Sequence, residues 1–165
     1  MKILIAIASQ TLRLLDEHGE LQKEYAISSS KYGLGEKRGS FKTPRGRHVI
    51  RAKIGKDMPA NTVFVGRRPT GEIYSTELSE QFPERDWILT RILWLCGLEP
   101  GFNRFGDVDT MRRYIYIHGS PDIAEMGKPG SIGCIRMHND DLVDLCDRVE
   151  TGTEVEILES FQQNH

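Results

Sequence analysis

The chain has little cysteine, no long apolar run and no charge excess of either sign, and each shortage closes off a class of protein. Its 165 residues hold three cysteines, Cys96, Cys134 and Cys146. An odd number without framework spacing argues against a disulfide scaffold and suits a reducing compartment. Neither Cys-x-x-Cys nor His-x-x-x-His occurs. No metal or other cofactor is therefore expected, and a zinc site built from His118, Cys134 and His138 has no spacing behind it. The longest apolar run, residues 3–8, has six members and is too short to span a membrane. Net charge is −2, and Lys and Arg are scattered rather than blocked, so nucleic acid is not an expected partner. No repeat, low-complexity tract or linker divides the chain. One domain over residues 1–160 is expected, with a frayed tail at 161–165.

What is present is mostly short strand patterns. Residues 3–7 are an apolar run suited to a buried strand. Residues 10–16 and 20–27 read as a hairpin across a His18-Gly19 turn, which the first strand joins. Met1-Lys2 and residues 3–8 imitate the start of a signal peptide, with Ala6-Ile7-Ala8 as a mock cleavage site. A signal-peptide core runs to roughly 7–15 residues, and cleavage after Ala8 would remove the first strand. The chain is therefore expected to stay unprocessed and cytoplasmic. Further strands are expected at 48–54, 62–66, 73–76, 114–117 and 153–158. Residues 87–95 fit a helix as well as a buried strand, and 99–109 are loop. The clearest helix is 140–149, with Asn139 as its cap, Asp140 and Asp141 at its positive end and Gly152 just past its close. Many short strands with one good helix predict a mainly β fold, a sandwich or open barrel.

The chemistry centres on Cys134, in Ser131-Ile132-Gly133-Cys134-Ile135-Arg136. Sixteen positions earlier stands His118, at the end of the strand pattern Tyr114-Ile115-Tyr116-Ile117 and followed by Gly119. A thiol needs a nearby base to act as a nucleophile near neutral pH. The breakers Pro121, Gly127, Pro129 and Gly130 mark a loop that returns the chain from His118 to Cys134. Gly133 lets backbone approach the thiol, and the N–H groups of Gly133 and Cys134 are candidate oxyanion donors. Cys134 on its own reads as a small core residue, as Cys146 and Cys96 are read to be, and Gly133, Arg136 and the spaced His118-Gly119 reverse that reading. Arg136, two positions on, faces the same way as Cys134 on an extended segment. It suits either a clamp on a substrate carboxylate or support of the site through backbone. Ser131 is either turn chemistry or a hydroxyl beside the thiol. Asn103 and Arg104, in a glycine-bounded loop, are candidate cleft residues.

These residues resemble the catalytic signature of the L,D-transpeptidase family, the YkuD-like domains. That signature is a His-Gly at a strand end, a loop, then Ser-His-Gly-Cys-Ile/Val-Arg. Ile132 departs from it, standing where many members carry a second histidine. Ser40-Phe41-Lys42-Thr43-Pro44-Arg45-Gly46 is similar to the family's Ser/Thr-Pro-x-Gly turn, and Ser28-Ser29-Ser30-Lys31-Tyr32-Gly33 to its earlier strand exit. The resemblance implies the family fold, a strand at 87–95, and orientation of the His118 ring by the Gly119 carbonyl.

The residues alone predict a cysteine-dependent acyl transferase or hydrolase. The resemblance implies the substrate, peptidoglycan tetrapeptide stems cut between the L-centre of meso-diaminopimelate and the terminal D-Ala. With water as acceptor the enzyme is an L,D-carboxypeptidase of cell-wall recycling, which a cytoplasmic chain favours. With an amine acceptor it is an exported L,D-transpeptidase that forms 3-3 cross-links or exchanges D-amino acids. A non-catalytic wall-peptide binding domain is the reading from another class. The resemblance also implies carbapenem-type β-lactams as covalent inhibitors acting on Cys134.

Overall fold

The computed structural model describes residues 1–161. The first strand, β1 (Lys2–Ala6), buries Ile3 and Ile5 completely. β2 (Thr11–Leu15) and β3 (Leu21–Ala26) form the expected antiparallel hairpin, and β1 pairs with β2. The Asp16 carboxylate closes the hairpin turn by accepting the N–H groups of His18 and Glu20. β4 (Gly46–Ile54), β5 (Thr62–Val65) and β6 (Arg68–Ile73) follow, then α1 (Thr76–Gln81) and β7 (Ile88–Gly97). The chain continues through β8 (Tyr116–Gly119), β9 (Ile135–Met137), α2 (Asn139–Arg148) and β10 (Glu154–Leu158). The fold is mainly β, as the strand patterns predict, and residues 87–95 are strand. Among the described residues no helix is long and apolar enough to cross a membrane.

One mixed sheet runs in the order β3-β2-β1-β10-β4-β7-β5-β6. β10 lies parallel to β1, with Lys2 opposite Glu154, so the two ends of the chain meet in the middle of the sheet. β7 is where the sheet branches. One edge carries β4 and then β5, and the other carries β8, which in turn pairs with β9. Its two faces serve two apolar clusters, as strand alternation requires. Leu93 and Leu95 enter the main core with Ile3, Leu14, Ile117 and the inner face of α2. Ile92 joins a smaller cluster with Phe64 and Tyr116, and Trp94 packs against it.

Three local expectations are corrected. Residues 73–76 are not a strand: Ile73 ends β6, and Thr76 opens α1 after Ser75, whose hydroxyl accepts the Leu78 N–H. β6 itself is polar, exposed and at the sheet edge, so burial imposes no hydrophobic alternation on it. The strand before His118 starts at Tyr116 rather than at position 114, because Tyr114 turns with a φ of 57°. Asn139 does not cap α2. It is the first helical residue, and its side chain accepts from Thr90 Oγ1 and donates to Asn61 Oδ1. The expected tail falls mostly on residues 162–165, which lie outside the described residues. The Phe161 ring lies 3.9 Å from the Arg13 guanidinium carbon.

Candidate active site

β8 and β9 run parallel, with Ile117 opposite Ile135 and His118 opposite Arg136. Parallel neighbours need a crossover, and loop 120–134 provides it, delivering Cys134 to the start of β9. Alternation along β8 sends Ile117 into the main core and turns Tyr116 and His118 to the opposite face. Cys134 packs against the cluster on that same face. The thiol and the imidazole thus share one side of a two-strand unit. The His118 ring is 1% exposed, and its Nδ1 lies 2.6 Å from the Gly119 carbonyl oxygen. A carbonyl can only accept, so Nδ1 carries the hydrogen and Nε2 is left as the base. Gly119 is fully enclosed. A Cβ there would lie 2.2 Å from Asn139 Oδ1 and 2.6 Å from the Leu89 carbonyl.

The loop before Cys134 is clamped from two sides. Ser131 Oγ donates to the Cys134 carbonyl at 2.6 Å and accepts the Gly133 N–H at 3.3 Å. Thr43 Oγ1 donates to the Gly133 carbonyl at 2.9 Å and accepts the Ser30 N–H at 3.0 Å. The Gly130 and Ser131 N–H groups both donate to the Ser29 carbonyl. Gly133 has a φ of 133°, which a side chain would resist. The two upstream motifs, 28–33 and 40–46, therefore meet at the cysteine loop.

A family model described as the L,D-transpeptidase catalytic domain matches residues 1–157. The chain belongs to the L,D-transpeptidase catalytic domain family. It is 46% identical over 46 residues, 28% of each chain, to the YkuD protein of Bacillus subtilis. The L,D-transpeptidase from Mycobacterium smegmatis shares its fold with a TM-score of 0.58 at 19% identity, over 94% of this chain and 57% of that one. L,D-transpeptidase 3 from Mycobacterium tuberculosis, solved with a faropenem-derived adduct, matches with a TM-score of 0.53 at 15% identity, over 95% of this chain and 59% of that one. The chain spans little more than half the length of those solved chains.

In this L,D-transpeptidase domain burial shifts both members of the pair toward their neutral forms. Burial pushes the Cys134 thiol up to about 12, with the Asp86 charge adding to the rise and the Tyr116 N–H and Arg113 opposing it. Burial also lowers the His118 imidazole below its ordinary 6.5, against the opposing pull of the Gly119 carbonyl and Asp86. Sγ accepts the Tyr116 N–H at 3.3 Å and donates to the Tyr114 carbonyl at 3.4 Å. No hydrogen bond joins it to His118 among the described residues. The sign follows directly: a raised thiol pKa leaves the thiolate scarce until strongly alkaline pH. Labelling of Cys134 by iodoacetamide is expected to quicken about tenfold per pH unit from pH 7 to 10 with no plateau. Peptide-resolved mass spectrometry separates it from Cys96 and Cys146. Levelling near pH 8 would mean that a thiolate already exists in the resting site.

Arg136 donates to Ser28 Oγ at 3.1 Å, while its buried Nε has no hydrogen-bond partner. A buried, unmet donor on a cation is costly unless an anion fills it. Asn103 does not line this cleft. It is fully buried, donates to the Arg45 and Arg47 carbonyls and accepts the Glu99 N–H. Arg104 stacks its guanidinium over Phe105 at 4.7 Å. His48, which shows no partner in the sequence, is buried between the Gly46 carbonyl and Thr110 Oγ1. Sequence reasoning missed three charged neighbours of the site. Asp86, before β7, acts on His118, Cys134 and Arg136. Arg67, in the β5–β6 turn, donates to the Tyr116 hydroxyl and lies over the Trp94 and Tyr114 rings. Arg113 donates to the carbonyls of Gly35 and Lys42 and to Ser40 Oγ. All three come from loops remote in sequence from Cys134 and carry no motif of their own.

Proposed function

We propose that Cys134 is the nucleophile of an acyl transfer on peptidoglycan tetrapeptide stems at the meso-diaminopimelate–D-Ala bond, with water as acceptor. The observation that supports it best is the placement of thiol and imidazole on one face of the β8–β9 pair, with the ring fixed by the Gly119 carbonyl. His118 Nε2 takes the thiol proton as Sγ attacks the carbonyl carbon. The carbon–sulfur bond forms, and the oxyanion is held by the N–H groups of Cys134 and Gly133, the latter exchanging its long bond to Ser131 Oγ. Collapse breaks the carbon–nitrogen bond, and His118 returns the proton to the departing D-Ala amine. Water then opens the thioester by the same route. Arg136, with its unmet Nε, takes the terminal D-Ala carboxylate. Release of D-Ala from recycled stems in the cytoplasm is the setting we assign.

The deciding test incubates the protein with a disaccharide-tetrapeptide, with and without an amine acceptor, and reads masses. Loss of one alanine with no larger product is expected. A cross-linked dimer or an exchanged D-amino acid would replace the carboxypeptidase by a transpeptidase, and unchanged substrate would remove the assignment altogether.

A further inference from the structure

A second cationic feature adjoins the thiol, and Arg136 is not among the residues that line it. A cavity of about 200 Å³ is lined by Arg38, Arg112 and Arg113 together with Phe41, Tyr114 and Ile132. Three arginines and no acidic residue are among the residues that line it. Its wall is next to the candidate nucleophile: Ile132 lies two residues before Cys134, and the Tyr114 carbonyl accepts the Cys134 thiol. Arg113 is fixed to backbone and hydroxyl oxygens of loop 35–42, so its charge is part of the scaffold. The Arg38 and Arg112 side chains, by contrast, are exposed and form no hydrogen bond or ion pair among the described residues.

The apolar walls are strained into place. Phe41 and Tyr114 have φ of 59° and 57°, a region that bulky side chains avoid, and each ring is more than half exposed. Strain of this kind, kept at an open surface beside a reactive thiol, marks a built site rather than a packing solution. Ile132 is 45% exposed, belongs to neither apolar cluster and lines this wall. Guanidinium forks recognise carboxylates, and the aromatic and aliphatic sides fit the methylene groups that carry such a carboxylate.

We infer that this pocket seats a carboxylate of the acyl-donor stem upstream of the cleaved bond, through Arg38 and Arg112, with its methylene spacer against Phe41, Tyr114 and Ile132. The inference rests on the acyl-transfer reading for its substrate class. It leaves Arg136, which does not line this pocket, to the terminal carboxylate, so the two ends of the donor are read separately. Ile132 then has a use of its own: a flat apolar surface where a histidine would add a second polar group.

The test measures binding apart from turnover. In a Cys134→Ala background, calorimetry compares a tetrapeptide stem bearing free side-chain carboxylates with the same stem amidated there. The free form is expected to bind roughly ten- to a hundredfold more tightly. Adding Arg38→Gln and Arg112→Gln should erase that preference while leaving the amidated form's affinity unchanged. Arg113 is left in place because it ties loops together. Equal binding of both stems, or a preference that survives the double substitution, overturns the inference. Turnover by the unsubstituted enzyme is followed in parallel. Turnover without a carboxylate preference in binding removes the pocket's role and keeps the acyl transfer. An arginine-dependent preference without turnover of either stem keeps the pocket and removes the acyl transfer.

Discussion

Cys134→Ala is expected to lower kcat by at least about 10⁴ while leaving the fold in place, because a methyl group can neither attack a carbonyl nor form a thioester. The structural cost is small. The sulfur contributes two long bonds, to Tyr114 and Tyr116, at the margin of the smaller cluster. Leaving one backbone N–H without its acceptor costs about 1 kcal/mol, or a Tm shift of roughly 2–4 °C for a chain of this size. Activity and melting temperature should thus separate cleanly. A covalent β-lactam supplies an independent reading, since the M. tuberculosis relative was solved with a faropenem-derived adduct. Incubation with a penem or carbapenem is expected to add its mass to the unsubstituted protein and nothing to the alanine variant. Turnover retained by that variant, or an adduct that persists on it, would place the nucleophile elsewhere.

Gly119→Ala should have the opposite profile, a large loss of stability with activity lost as a consequence. The new Cβ would sit 2.2 Å from Asn139 Oδ1 and 2.6 Å from the Leu89 carbonyl oxygen. Neither neighbour can retreat. Leu89 is backbone within β7, paired to Gly119 itself. The Asn139 amide is held by Thr90 Oγ1 at 2.7 Å and Asn61 Oδ1 at 3.0 Å. Forcing the strands apart costs about 3 kcal/mol or more, which corresponds to a Tm lower by roughly 10 °C. The same displacement moves the carbonyl that holds His118 Nδ1, so kcat should fall even at temperatures where the variant is folded. A melting temperature within about 2 °C of the parent would show that β7 and β8 yield more easily than their hydrogen bonds suggest.

The parts of this molecule that bury an apolar face were legible in its sequence. The apolar run 3–7 marked β1, the His18-Gly19 turn marked the β2–β3 hairpin, and Asp140, Asp141 and Gly152 marked α2. The strand end at His118 and the loop that returns the chain to Cys134 were legible too, because a strand end, a breaker-rich loop and a glycine each leave a local mark. Elements without a core-facing stripe left none. β6 is an exposed edge strand, and α1 buries no residue. Asn139 looked like a cap because capping chemistry and buried amide chemistry use the same side chain, and only the presence of Thr90 and Asn61 decides between them. Asp86, Arg67 and Arg113 reach the site through space rather than through spacing. Ile132 was visible as a departure from the family signature, but its wall in the arginine-lined cavity was not, since Arg38, Phe41 and Tyr114 come from two other loops.

The parallel pairing of β1 with β10 also sets a schedule for the molecule's birth on the ribosome. β1 is made well before its parallel neighbour, and one of its two edges stays open until residues 154–158 have emerged. Until then the β1–β2–β3 unit has no covalently late partner to join it to β4, because β10 is the strand between them. Contacts of such long sequence separation form late. The thiol at position 134 is therefore translated before the sheet can close, and a nascent chain stalled short of β10 carries an exposed strand edge on β1 and another on β4. Closure of the sheet waits for β10, whichever strands are already in place.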